Sequence, residues 1–340
     1  MSFTNTCFDS FSEQQVVSKG LLRPDQPFPL VIEPAMDEVD LISWVKDHRE
    51  SVESYLLKEG AILFRGFKID SPTKFEQFVT SISADLLEYF DQHTPRTRVS
   101  GQIFTSTEYP AKNTVPFHSE NSKNQVWPMK IWFGCLQPAL QGGETPLADN
   151  RRVFALIDPK IKERFIEKKV MYVRNFGDGF GLPWQKAFQT TDSTLVEQYC
   201  REAHMECHWK DQNRLHLTHV CQATSRHPKT GEVVWFNQAH LFHVSSVGPE
   251  ATEALLEVFK EEDLPSNAYY GDGTRIETSV LEEIREAFRQ SSVSFPWRTG
   301  DVLMLENMLI AHGRAPFSGP RKIIVAMADP FSVDQQITPN

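Results

Sequence analysis

From residue 101 onward the chain is written in short apolar or alternating runs broken by Pro and Gly: QIFTSTEYP, VPFHSENS, MKIWFGCLQPA and GGETPLADN. Runs of that length with a two-residue period specify strands rather than helices. The same texture returns at 214–222 and 233–244, and again in SVSFPW, DVLMLENMLIAHG and RKIIVAMADP. Helical periodicity occupies other stretches: 38–58, ending at Gly60, then 73–88, 151–168, 192–204, 249–261 and 278–290. Between the first two, AILFRGF (61–67) reads as a buried strand. Residues 1–30 read as an extended lead-in. No linker divides the 340 residues, and 24 Phe and 7 Trp can fill a large core. The pattern predicts one domain, 1–340, mostly β with flanking helices and a partly helical insertion at about 150–235 between early and late core strands.

The formal net charge of −10 argues against nucleic acid or an anionic membrane surface as the main partner, since both require a basic face. The five cysteines are odd in number and show no disulfide-type spacing, which fits a reducing compartment. The N-terminal text lacks the charged start and apolar run of a signal peptide, and no stretch is long and apolar enough to span a bilayer. These features predict a cytoplasmic protein.

Two histidines and one carboxylate can hold iron on one face and leave the other positions open. On a strand, residues i and i+2 share a side, so H-x-E can supply two of the three ligands. The pattern occurs three times, at His48/Glu50, His118/Glu120 and His204/Glu206, so context decides. His48 lies in a helical pattern, where i and i+2 diverge by about 200°. His204 ends a helical run. His118 follows the extended VPF and precedes a polar turn, which is the better setting. His312 closes an apolar strand just before a turn, as a site residue or as a satisfied strand-end histidine. The Cys/His-rich stretch 200–221 lacks the paired spacing of a structural zinc site.

FHSE (117–120), GGET (142–145), HPKTG with FN (227–231, 236–237) and HGRAPF…PRK (312–322) follow one another in an order that resembles the taurine-dioxygenase-like (TauD/TfdA) Fe(II)/2-oxoglutarate oxygenases. The similarity spans roughly 40–330, with LKEGAILFRGF resembling an early strand of that family. TSTEYP, GGETPLADNRRV, WFNQAHLFH and YYGDG look most like its SyrP-like branch of amino-acid β-hydroxylases from natural-product pathways. The resemblance implies a double-stranded β-helix (jelly-roll, cupin-like) core, with His118, Glu120 and His312 on the iron. It implies that Thr145 and Arg321 hold the distal carboxylate of 2-oxoglutarate, with O2 as the other co-substrate. A guanidinium fork suits that carboxylate better than the neighbouring Lys322. It also implies hydroxylation over halogenation, since the halogenases of the group replace the carboxylate ligand with a small residue.

The substrate is less legible. The second arginine with which taurine dioxygenase grips its sulfonate corresponds to Val325, which argues against an alkylsulfonate substrate. The aromatic lining the taurine pocket corresponds to His240. Arg174 and Asn175 of MYVRNFGDG are placed to cap a carboxylate. Asn237 and Arg314 are further candidates, Arg314 equally as a brace for the turn after His312. The leading expectation is an amino-acid hydroxylase acting on a small molecule, free or presented by a carrier protein. A desaturase or cyclising oxidase would use the same cofactors. A non-catalytic cupin-like binding protein would need neither Thr145 nor Arg321, and a hydrolytic zinc enzyme would not need the 2-oxoglutarate clamp.

Overall fold

A computed structural model of the chain describes residues 16–23, 28–87, 96–177 and 181–332. Cys7, the first half of the extended lead-in and Gly179 of the glycine-rich loop lie outside those residues. The framework is an eight-stranded sheet ordered Val17–Leu21, Leu30–Pro34, Ala61–Phe64, Val302–Glu306, Val126–Gln137, Lys322–Ser332, Ile103–Thr105 and Arg98–Ser100. Opposite it lies a four-stranded sheet ordered Ser292–Val293, Leu147–Asp149, Ile310–Arg314 and Val115–His118.

Strand alternation explains the two layers that the large sheet separates. Ile131, Phe133, Leu303, Leu305, Ile323 and Val325 turn inward and meet Leu147, Val293 and Ile310 of the small sheet. Ile62, Phe64, Trp132, Met304 and Ile324 turn outward and are covered by Trp44, Val52, Leu56, Phe75 and Phe78 of the helices Leu41–Asp47, Arg49–Glu59 and Pro72–Ile82. With both faces buried, 127–135 reads as a continuous apolar run, apart from Pro128, Lys130 and Gly134. The two facing sheets make the double-stranded β-helix core that the family resemblance implied.

Several boundaries differ from the sequence reading. The 38–58 helix breaks at His48, whose ψ of 23° interrupts the ladder. The 151–168 helix is two, Asn150–Leu156 and Pro159–Lys168, because Pro159 opens a new helix behind the Asp158 cap. The 73–88 helix stops at Ile82. The strand expected over 233–244 ends at Trp235, and Ala239–Phe242 is a helical turn. SVSFPW contributes only Ser292–Val293 as a strand. The segment between early and late strands carries strands of a third sheet, ordered Glu206–Trp209, Leu215–Cys221, Val170–Phe176 and Ser266–Tyr270. The helix Thr278–Gln290 packs on the same apolar cluster as that sheet through Leu281, Ile284 and Phe288. Among the described residues no helix is long and apolar enough to cross a membrane.

Candidate metal and co-substrate site

His118 ends one strand of the small sheet, and His312 sits directly opposite it on the neighbouring strand. Their rings lie 4.4 Å apart, centroid to centroid. Gly313 makes this pairing possible, because a Cβ there would lie 2.7 Å from the Val115 carbonyl oxygen. Glu120 lies just past the strand end, so alternation alone does not place it. Asn307 does: its Oδ1 accepts from Glu120 N at 2.8 Å, and its Nδ2 donates to the carbonyls of Glu120 and Pro128 at 2.9 and 2.8 Å. Gln238 holds the same turn through the Ser119 carbonyl at 2.7 Å.

One potential ligand atom from each of His118, Glu120 and His312 lies within 4.8 Å of the others, the one such convergence among the described residues. The His118 Nδ1 is 2.9 Å from the Pro116 carbonyl, a contact in which Nδ1–H donates and the Nε2 lone pair is left for a metal. Burial is the largest influence on both histidines and pulls their pKa values below the ordinary one, favouring neutral imidazole. Burial pushes the Glu120 carboxyl upward, but the Arg96 charge, the neighbouring His118, the Arg96 hydrogen bond and the Lys123 charge together outweigh it and leave the group below its usual range. Arg96 reaches Glu120 Oε2 at 2.9 Å, with both side chains buried. Two basic ligands and an ionised carboxylate, converging in a buried pocket, fit a divalent cation such as Fe(II).

Beside these residues runs a narrow cleft lined by His118, His312, Phe133, Thr145 and Arg321. Gly142 and Gly143, at φ of 68° and 74°, turn the chain so that Thr145 enters it. A Cβ on Gly142 would meet the Pro316 carbonyl. Arg321 Nε donates to the Gly143 carbonyl at 2.9 Å, and its Nη1 lies 3.3 Å from Ser106 Oγ. Burial, then the nearby Arg314 charge, pulls the Arg321 pKa down to about 10, which still leaves it cationic at neutral pH. Lys322 is exposed. Trp297 Nε1 donates to Thr145 Oγ1 at 3.2 Å.

A larger cavity of about 590 Å³ adjoins the cleft through His118, and its lining includes Glu120, Arg174, Asn175 and Phe176. Arg174 is thus brought to the cavity. Asn175 is buried, accepting from His216 and donating to the Glu262 and Leu264 carbonyls, so it fixes the wall segment. His240 is not in the cavity lining: the turn after Asn237 sends its ring onto Phe288, and its Nε2 contacts the Phe117 carbonyl at 2.9 Å. Asn237 is likewise spent on the backbone, donating to Ala223 O and accepting from Ala239 N. Arg314 lines the narrow cleft and fastens the 107–113 loop through the carbonyls of Tyr109, Pro110 and Asn113 at 2.7–2.8 Å. Val325 is buried in the core between the sheets. His48 stacks on Trp44, and Cys200 packs in a separate apolar cluster.

Sequence reasoning missed Arg96, Lys123, Asn307 and Trp297. Asn307 had a signal, a lone amide in the apolar text LMLENMLIAHG, which a buried position obliges to find partners. Arg96 lies in polar text with no motif, and its approach to Glu120 is purely tertiary.

Residues 24–327 match the profile of the family described as taurine catabolism dioxygenase TauD, TfdA family. The dapdiamide synthesis protein DdaC of Enterobacter agglomerans is 42% identical over 289 residues, covering 85% of this chain and 88% of that one. A clavaminate synthase-like protein of Arabidopsis thaliana is 28% identical over 320 residues, covering 89% and 94%. The solved PvcB protein of Pseudomonas aeruginosa superposes with a TM-score of 0.55 at 14% identity, covering 96% and 95%, which bears on the fold. The chain belongs to the TauD/TfdA family of Fe(II)- and 2-oxoglutarate-dependent dioxygenases.

Proposed function

We propose that this protein hydroxylates an unactivated C–H bond of an amino-acid-derived small molecule in a natural-product pathway, with His118, Glu120 and His312 as iron ligands. The observation that carries the reading is the convergence of those three side chains within 4.8 Å where the narrow cleft and the large cavity meet. Bound iron with 2-oxoglutarate supplies the oxidising power, with succinate and CO2 as co-products. The protein's own groups orient the reactants. Arg321 offers a charged fork for the distal carboxylate of 2-oxoglutarate, and Thr145 a hydroxyl beside it. Arg96 steadies Glu120. The larger cavity receives the substrate, with Arg174 as a contact for its carboxylate.

The relative named for dapdiamide synthesis supports a biosynthetic role and an amino-acid-like substrate. Presentation on a carrier protein is an alternative delivery to the same cavity. The test is aerobic incubation with Fe(II), 2-oxoglutarate and a panel of amino acids, free, N-acylated and carrier-tethered, following succinate and product mass together. One added oxygen coupled to succinate, both lost in His118→Ala, is expected. Succinate formation that survives His118→Ala would contradict the ligand assignment.

A further inference from the structure

Glu120 lies past the end of its strand, so side chains from elsewhere hold its turn. Asn307 grips the N–H and carbonyl of Glu120 itself. Gln238 Nε2 donates to the Ser119 carbonyl at 2.7 Å and to Ser122 Oγ at 3.0 Å. These two anchors come from separate segments. Asn307 directly follows the strand Val302–Glu306. Gln238 follows a hairpin of Thr224–Arg226 and Val233–Trp235, whose turn is the HPKTG text, 227–231.

One buried contact joins the two segments. His227 Nε2 lies 3.3 Å from Glu306 Oε1, with the side chains 0% and 2% exposed. Neither atom has another partner among the described residues. The hairpin fixes the tautomer. His227 Nδ1 accepts from the backbone N–H groups of Lys229 and Thr230 at 3.3 and 3.1 Å, so the ring proton sits on Nε2 and faces Glu306. Lys229 also reaches Glu53 on the helix Arg49–Glu59, but that pair is solvated and holds weakly. A buried polar contact is stricter, because shifting either segment strands a donor or an acceptor away from water.

We propose that His227 and Glu306 are positioning residues for iron binding. Their contact fixes the hairpin against the end of the strand, and so sets the spacing between Gln238 and Asn307, from which the Glu120 turn hangs. This rests on the reading of Glu120 as an iron ligand. It gives the HPKTG text a role at a site it does not itself touch, since neither residue lines the cleft or the cavity.

Anaerobic Fe(II) titration of the metal-free protein with 2-oxoglutarate present tests the proposal, with circular dichroism confirming that each variant is folded. Glu306→Met removes the acceptor. His227→Asn keeps an acceptor for the hairpin turn but has no Nε2–H. Both should weaken iron binding about tenfold, the lower end of the effect of groups that orient a metal ligand. Glu306→Gln keeps an acceptor oxygen and should restore affinity close to wild type. Arg65→Met breaks the buried pair with Asp301, at the other end of the same strand, and controls for lost stability; it should leave iron affinity unchanged. Wild-type affinity in folded His227→Asn, a loss in Glu306→Gln as large as in Glu306→Met, or an equal loss in Arg65→Met would each overturn the proposal. Unchanged affinity in Glu120→Ala would instead remove the ligand reading on which it rests.

Discussion

Trp297 decides what the Thr145 hydroxyl can do. An indole N–H is a donor only, so at 3.2 Å it occupies a lone pair of Oγ1 and leaves the hydroxyl proton free to point into the cleft. Under the proposed assignment, a threonine oriented in this way would donate to the 2-oxoglutarate carboxylate that Arg321 faces. Trp297→Phe keeps the ring's packing on Phe295 but removes one neutral hydrogen bond, worth about 0.5–1.5 kcal/mol. The KM for 2-oxoglutarate should rise about two- to tenfold with kcat little changed. Succinate kinetics measure this, and an unchanged KM would show that the contact does not orient Thr145. Arg321→Lys loses the charged fork and should do more, at about 1.5–3 kcal/mol or a tenfold or greater rise in the same KM.

At the scale of elements, the strand ends of the small sheet hold the site, and Asn307 ties the Glu120 turn to them. Asn307→Ala strands the Glu120 N–H and carbonyl and the Pro128 carbonyl, at about 1–3 kcal/mol for each group left without a partner. Loosening a ligand in this way should weaken iron binding by about 10- to 100-fold while circular dichroism stays unchanged. Wild-type affinity in that variant would show that Glu120 is placed by other contacts. The elements most legible in the sequence are those whose burial is complete or one-sided. Ala61–Phe64 is a wholly buried run closed off by Gly60, whose αL conformation caps the preceding helix. The helix Thr278–Gln290 buries one face through Leu281, Ile284, Ala287 and Phe288 and coincides with its predicted range. The third sheet was harder to see as a sheet: its edge strand Glu206–Trp209 is short and part-exposed, and two of its neighbours, 170–176 and 266–270, are about 90 residues apart, so local text does not reveal the pairing. The candidate ligands His118, Glu120 and His312 are each visible as motifs, whereas Arg96 reaches Glu120 only through tertiary packing.

Across the whole molecule, the two halves of the large sheet are pinned by a buried ion pair. Arg65, just past one strand, meets Asp301, just before its neighbour, through Nε at 3.1 Å and Nη2 at 2.7 Å. Arg65→Met leaves Asp301 charged and buried, and should cost about 3–5 kcal/mol in denaturant unfolding. A second whole-molecule expectation concerns acid. Burial pulls His240 down to about 3 and His243 to about 4, against 6.5 in the unfolded chain. Below pH 6.5 the unfolded chain therefore binds protons that the folded chain refuses, so stability falls as pH drops from about 6.5 toward 4. Thermal unfolding followed over that range should show the decline, and His243→Asn should flatten it; an equally steep decline in the variant would exclude His243 as a source. One iron is expected to bind where His118, Glu120 and His312 meet, with 2-oxoglutarate beside it in the cleft of Thr145 and Arg321. Anaerobic titration of the metal-free protein with Fe(II), with and without 2-oxoglutarate and followed by visible absorption, tests this most directly. The expected result is one iron per chain and a band that requires both components, lost in His118→Ala and His312→Ala and weakened at equal 2-oxoglutarate in Arg321→Lys; iron uptake of unchanged stoichiometry and affinity in the two histidine variants would contradict it.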